Sequence, residues 1–516
     1  MKEKFKSFGI PFVLIVLFIG ALFLHQLLQV KQQPQPDWSR SIPLNYTSEE
    51  RPVIFNGEEG LFLASNGNIT GFTFEGPLDS TKETTLDTRV TRGHPFWTDG
   101  TKVIQIKDDK IISTESNEVT TLAEEATGIS TAWKSVYFWN KENLFSLNLA
   151  DLSVKEVFSF PNEILDVYFG NNGSAVVQVR QDDGHSHLYY MDDTLQVVKD
   201  PFAIVNTATN HQINGLTFTT GNNHLTLLYN EEMRAQGTLS YKIFKLQTPI
   251  DEIGSSILKP TKIDFTNEMS GGKLQSPRTA QLLSINGEES ILFTSEGHRI
   301  GDDNAISLYV APFSDSDQLT AAPVSTTKHF AYSPLQLTNK GIAWLDYDGD
   351  TYELFGASQD AIVIAKSTEW SKRSIKEAVN NSVLMMFSSL ITVMVSFYWV
   401  LPSLFLLILL YIFKPNIFEK EEINWVEYAS IIMFLVMPLT FISKATGEYF
   451  YFAAPEYLMF SGSEYIVLLV ISALTSLLWK FGRDPDWGTF GGVFYFMGIY
   501  ILLYATSMGP YIFNLF

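Results

Sequence analysis

Val136-Tyr137-Phe138-Trp139, a polar turn, Leu144-Phe145-Ser146-Leu147, a second turn, then Val154-Lys155-Glu156-Val157-Phe158: this stretch, within 131–160, decides the fold class. Its β-branched and aromatic residues come in runs of four or five, bounded by Asn, Lys, Glu and Asp. Short runs of that kind, separated by turn residues, predict antiparallel strands joined as hairpins. No sustained helical period appears between residue 32 and Ser371.

Six more modules repeat this order, at 51–76, 96–123, 164–202, 213–249, 280–313 and 330–366. They include Gly60-Leu61-Phe62-Leu63, Lys102-Val103-Ile104-Gln105-Ile106, Ala175-Val176-Val177-Gln178-Val179, Leu225-Thr226-Leu227-Leu228-Tyr229 and Gly341-Ile342-Ala343-Trp344-Leu345. The last module ends on Ala361-Ile362-Val363-Ile364, read as a strand. Seven modules over about 320 residues give roughly 46 each, the length of a four-stranded propeller blade. On blade length and strand pattern, 32–370 resembles a β-propeller of the WD-repeat or YVTN-like group. No regular Gly-His…Trp-Asp signature accompanies the pattern, so no narrower family is implied. The expected fold is an all-β propeller of seven blades, with six or eight blades or an irregular pair of β-sandwiches as alternatives. Ring closure would bring both chain ends out of the domain at one place.

The remainder of the chain is short of charge. Charged residues make up 18% of the 516, against about a quarter in an ordinary soluble chain. Residues 8–30 contain no ionisable group except His25; at about 1.5 Å per residue they extend roughly 34 Å, enough to cross a hydrocarbon core of about 30 Å. Lys2, Lys4 and Lys6 precede this run and no small-x-small cleavage site follows it, which predicts an uncleaved signal anchor in 1–31. Four further spans are expected in 383–516: 383–413, interrupted by Pro402 and read as one long helix, then 426–443, 465–479 and 487–513. Gly488, Gly491, Gly492 and Gly498 in the last would let neighbouring helices approach closely. The prediction is five α-helical transmembrane segments.

Between propeller and spans, 371–382 is read as a juxtamembrane linker. With Trp370 beside it, its Lys372, Arg373 and Lys376 suit either an interfacial helix or a solvated linker with an anchoring Trp. The lysines ahead of the first span place the N-terminus in the cytoplasm and the propeller outside it, although the cations at 366–376 lie on the opposite side of that balance.

The middle region, 32–371, holds 24 basic and 45 acidic residues, a net charge of −21. An acidic domain lacks the basic footprint of a nucleic-acid binder. The absence of cysteine excludes disulfide frameworks, thiol catalysis, Cys-ligated zinc and iron–sulfur sites. No Gly-x-Ser-x-Gly, His-Glu-x-x-His or phosphate-loop motif occurs, and Ser270-Gly271-Gly272-Lys273 lacks the required spacing.

Asp182, Asp183, His185 and His187 are the candidate metal ligands, two carboxylates and two imidazoles within six residues. The alternation of His185 and His187 and the Asp183-Gly184 pair read instead as a strand leaving a turn. Asp346-Tyr347-Asp348-Gly349-Asp350 is calcium-loop-like in its first positions, but Thr351 and Ala357 stand where an EF-hand needs Gly and Glu, so a hairpin turn is expected. Gly301-Asp302-Asp303-Asn304 reads as another turn. Glu427, Lys444, Glu448, Glu456 and Glu464 fall near predicted span ends and are read as interfacial rather than mid-bilayer. The aromatic 447–462 loop, with Tyr449, Phe450, Tyr451, Phe452 and Tyr457, suits an interfacial belt or a contact beneath the propeller.

These features predict a multispanning bacterial envelope protein, non-catalytic and without a cofactor, in contact with the lipid bilayer and with a membrane, envelope or cell-wall partner. An envelope hydrolase or lyase acting on the propeller face, or a transporter accessory subunit, are the alternatives.

Overall fold

The computed structural model describes residues 5–513 apart from 58–59, 75, 77, 79, 87, 117, 133, 171, 182–183, 209, 222, 270, 297–304, 328, 419–423, 446–453, 456–457, 459 and 461. It divides into a β unit, Gln33–His298 with Asp303–Thr368, and a helical unit, Met1–Gln32 with Glu369–Phe516.

In the β unit the hairpin pattern becomes sheets of four antiparallel strands. Val53–Asn56, Leu61–Ser65, Asn68–Phe74 and Ser80–Leu86 form the first, and four strands each within 96–123, 128–159 and 164–206 form the next three. Three further groups of four lie in 211–267, in 275–323, and in 330–358 completed by Ile42–Ser48. These twelve strands are one connected network, through parallel pairing of Thr261–Asn267 with Gln318–Pro323 and the single residue pair Ile306 with Phe330. The unit is of propeller type, as the strand pattern predicts.

The quoted module shows why its runs are apolar throughout instead of alternating with polar residues. Val136 and Phe138 pack with Phe96, Val103 and Ile104 of the preceding sheet. Tyr137 and Trp139, pointing the other way, pack with Val167, Val177 and Tyr189 of the following one. Successive strand residues face opposite sides of a sheet, so a strand sandwiched between two sheets needs apolar groups at every position. Similar clusters link the fourth group to the fifth, the fifth to the sixth and the sixth to the seventh. One more joins Ala343, Leu345 and Leu354 of the last group to Leu61, Leu63 and Phe72 of the first.

The strand assignment at the end of the last module needs correction. Ala361–Ser367 is a helix, not a strand, started by Asp360, whose carboxylate accepts from the Ile362 backbone N–H. The outer strand of that sheet is Ile42–Ser48, antiparallel to Tyr352–Ser358 with Ile42 opposite Gly356 and Thr47 opposite Glu353. A four-residue apolar run fits a strand or a helical turn equally well; the cap and the occupied sheet edge decide it. The two ends of the β unit are held together there. Ser39 N–H donates to the Ser358 carbonyl at 2.9 Å, its Oγ accepts from Ser358 N–H at 3.0 Å, and Arg40 N–H donates to Ser367 Oγ at 3.2 Å.

The helical unit contains α1 (Ile10–Val30), α2 (Lys372–Phe413), α3 (Trp425–Ala445), α4 (Ser463–Gly482) and α5 (Gly488–Ser507). Among the described residues four helices, not the expected five, are long and apolar enough to cross a membrane: Ser7–Val30, Lys372–Phe413, Ser463–Gly482 and Gly488–Ser507. The expected span 426–443 lies in α3, where the qualifying apolar stretch is the shorter Trp425–Thr440. The expected linker 371–382 is mostly helix, because Ser371 and Ser374 form a reciprocal capping box that starts α2 at Lys372. With 42 residues, α2 is about 63 Å long at about 1.5 Å per residue. Lys31 places its ammonium 3.9 Å from the centre of the Trp370 ring, beside the start of that helix.

The buried face of α2 is rich in small hydroxyl residues, Ser374, Ser382, Ser388, Thr392, Ser396 and Ser403, set among Ala378, Met385, Trp399 and Leu407. Several use their hydroxyls on backbone carbonyls: Ser396 on Thr392 at 2.7 Å, Ser403 on Ser430 of α3 at 2.7 Å, and Ser388 on Gly509 at 2.5 Å. Small, hydrogen-bonding faces are how helices associate where apolar burial gives no net drive. Large apolar side chains such as Phe397, Phe405 and Ile412 are exposed on the same helix.

Of the four glycines singled out, Gly492 alone makes a close approach to another helix. A Cβ there would lie 2.7 Å from Arg483 Nε and 2.8 Å from Glu427 Oε2, while Gly491 meets its own Trp487 and Gly488 and Gly498 face open space. Gly492→Val is therefore expected to lower the thermal midpoint of the detergent-solubilised chain by many degrees, while Gly498→Ala leaves it unchanged or raises it slightly through helix propensity. Equal effects of the two substitutions would refute this packing.

Candidate functional site

His185 and His187 lie on the strand His185–Met191, both half-buried, with Ser186 buried between them on the opposite side. Strand alternation sets the two imidazoles on one face, where the His187 ring sits 6.3 Å from that of Tyr189. Asp182 and Asp183 lie outside the described residues. Among the described residues no group of three or more His, Cys, Asp or Glu side chains could hold a metal ion.

The calcium-like segment is a turn, as expected. Asp348 Oδ1 accepts from the backbone N–H groups of Asp350 and Thr351, at 2.9 and 2.7 Å, between the paired strands Gly341–Tyr347 and Tyr352–Ser358. Ser270, the 301–304 turn, Glu448, Glu456 and Tyr449, Phe450, Tyr451, Phe452 and Tyr457 of the aromatic loop are outside the described residues, as is the side chain of Lys444.

One carboxylate beside that turn is unusual. Asp346 is buried, hydrogen-bonded by Thr327 Oγ1 at 2.8 Å and placed directly across the ladder from Glu353. Burial pushes its pKa from 3.8 up to about 6; Glu353 and Asp348 push the same way, while Thr327 and His329 oppose. The native state thus holds this proton more tightly than the unfolded chain, so the contribution of Asp346 to stability is fullest below about pH 4 and is lost as pH rises through about 6. Asp346→Asn is expected to flatten the pH dependence of the β unit's unfolding midpoint between those limits and to raise the midpoint at pH 8. An unchanged slope would show that Asp346 is not the group responsible.

The helical unit contains the strongest polar constellation. Glu427, read from the sequence as interfacial, stands at a helix start but is fully buried among side chains, and its Oε1 accepts from Arg483 Nη2 at 2.8 Å, the Arg483 side chain being only 7% exposed. Three elements make the pair. Glu427 stands in the first turn of α3, which is set by Asn424, whose Oδ1 accepts from Val426 N–H at 3.0 Å. Arg483 caps the C-terminus of α4, and Gly492 of α5 leaves room for both side chains. Asn424 also donates to Thr489 Oγ1 of α5 at 2.7 Å. Ser430 lies one turn along α3 from Glu427, and Thr475 and Trp479 lie along α4 from Arg483, all buried.

The sequence reading missed this pair because its members are 56 residues apart and each sits at a predicted helix end, where a charge ordinarily reaches water. The signal present was their sign: opposite charges at the same end of neighbouring spans. Glu464 is also buried, in the first turn of α4.

No family model matches the chain, and no curated protein matches it. Among solved structures it is similar to the N-terminal domain of Nup159, at 11% identity over 63% of this chain and 97% of that one, with a TM-score of 0.36. It is similar to the Neurospora crassa Pan2 WD40 domain, at 10% identity over 62% and 95% of the two chains, with a TM-score of 0.36. The extracellular domain of a hybrid two component system from B. thetaiotaomicron is similar at 12% identity, over 62% of this chain and 39% of that one, with a TM-score of 0.35.

Proposed function

We propose that the chain is a bacterial envelope protein whose helical unit anchors it in the membrane, N-terminus in the cytoplasm, and whose β unit is a closed seven-bladed propeller outside the cytoplasm, serving as a non-catalytic docking platform for a protein or cell-wall partner. Seven groups of four strands support the blade count. Closure is supported by Ile42–Ser48 completing the last group and by the apolar cluster shared between last and first. The observation that carries the reading is the clamp between Ser39, Arg40, Ser358 and Ser367. It brings both connecting segments out of the β unit together, and in the chain these segments continue into the spans before and after it. A rigid scaffold whose loops surround one face presents those loops in fixed geometry, which suits recognition.

The test has two arms. Protease added to intact protoplasts is expected to cut within 33–368 and leave the membrane segments whole; protection of that region would place it in the cytoplasm and defeat the reading. Purification from gently solubilised membranes is expected to co-isolate a partner in fixed stoichiometry. Recovery of this chain alone, from both membranes and wall fractions, would count against a docking role.

A further inference from the structure

The Glu427–Arg483 pair leaves a set of polar atoms that the protein does not satisfy. Glu427 Oε2, Ser430 Oγ, Thr475 Oγ1, Trp479 Nε1 and Arg483 Nε are all buried without a hydrogen-bond partner among the described residues. They are not scattered. Glu427 and Ser430 are three apart on α3, and Thr475, Trp479 and Arg483 follow one another at four-residue intervals along α4, so each set lies on one helix face. Neighbouring hydroxyls on α4 behave differently: Ser472 donates to the Leu468 carbonyl and Ser476 to the Ser472 carbonyl, both at 2.7 Å. Thr475 makes no such bond to its own backbone.

We propose that this seam between α3, α4 and α5 is a hydrated inlet, a binding site for water that opens at the end of the helical unit where Glu427 and Arg483 lie and reaches inward to Thr475. Buried polar groups without partners are costly in any apolar medium and most of all in hydrocarbon, so the groups that persist there are bonded to something. The donor inventory selects the ligand. Arg483 Nε and Trp479 Nε1 only donate, Glu427 Oε2 only accepts, and the two hydroxyls do both. A bound anion would meet the Glu427 carboxylate and a bound cation the Arg483 guanidinium. Water donates and accepts, is neutral, and needs two to four polar partners, which the seam supplies. Eight residues separate Thr475 from Arg483, so the inlet is about 12 Å deep. The inference concerns the helical unit alone and holds whatever the β unit binds.

Replacement of the polar atoms by apolar ones of the same shape separates a wet seam from a dry one, because removing an orphaned polar group stabilises a protein whereas removing a bonded one destabilises it. In the full chain in detergent, Thr475→Val and Ser430→Ala, which remove a seam hydroxyl with little change of volume, are each expected to lower the thermal midpoint by about 2–4 °C, with Ser476→Ala, whose hydroxyl is satisfied by its own helix, unchanged. Unchanged or raised midpoints for both seam variants would overturn the proposal. A second measurement uses the unaltered protein. With tryptophan labelled by nitrogen-15, the Trp479 indole N–H, assigned from the Trp479→Phe spectrum, is expected to exchange within minutes in D2O. An indole proton that survives for days refutes the inlet whatever the variants do.

Discussion

Arg483→Ala is expected to destabilise the helical unit by about 3–5 kcal/mol, the usual cost of stripping one partner from a buried ion pair. The magnitude follows from where Glu427 sits: fully buried, with one oxygen on Arg483 and the other against Gly492. Without the guanidinium its carboxylate must remain charged away from bulk water, take up a proton, or drag α3 toward solvent. Each course loosens the contacts of Phe434 and Trp479 with Phe496. Glu427→Gln should cost less, since an amide keeps the acceptor oxygen and carries no charge, though it strands the Arg483 cation. The informative variant is double. Glu427→Leu with Arg483→Met removes both charges and fills similar volume, and pairs replaced in this way commonly recover or exceed the original stability. Thermal unfolding of the detergent-solubilised chain measures all of these. A single Arg483→Ala that unfolds like the unaltered protein would mean that the pair is open to bulk solvent and the burial described above is wrong.

Replacing Ile42–Ser48 with a Gly/Ser segment of equal length should abolish cooperative unfolding of the β unit. This strand does two jobs at once. Its backbone covers the edge of Tyr352–Ser358, and its inward residues Leu44 and Tyr46 fill a cluster shared with Leu61, Leu63 and Phe72 of the first sheet, where Tyr46 Oη also lies 2.7 Å from Ser65 Oγ. Leu44→Ala alone is expected to cost about 2–5 kcal/mol, as for other fully buried leucines. Substitutions at Thr47, exposed on the same strand, should cost almost nothing. Near-ultraviolet circular dichroism against temperature reads the difference. A sharp transition retained by the Gly/Ser variant would show that the last sheet stands without its fourth strand, and the closed ring proposed above would fall with it.

Much of the β unit could be read from the chain because its signals are local. A run such as Val136-Tyr137-Phe138-Trp139 followed, after the four polar residues 140–143, by another apolar run can hardly be anything but a hairpin, and the register Val136–Leu147 and Phe138–Phe145 bears this out. The role of Ile42–Ser48 was hidden for the opposite reason. Its partner lies more than 300 residues later, and nothing in Ile-Pro-Leu-Asn-Tyr-Thr-Ser names that partner. The helix Ala361–Ser367 was missed because four apolar residues carry no period. In the helical unit, hydropathy found the helices but not what they hold. A lone Glu at a helix start has the same appearance whether it meets water or Arg483, and only packing tells the two apart.

The clamp at Ser39 and Ser358 also governs how the β unit bears mechanical load. Ile42 and Gly356 are paired at the mouth of two antiparallel strands, so tension that draws both exits in one direction does not part them. Tension that pulls the exits away from each other opens the ladder one bond at a time, beginning at that mouth. Handles attached at residues 40 and 367 and drawn apart are therefore expected to peel Ile42–Ser48 away first, at low force, before any other sheet yields.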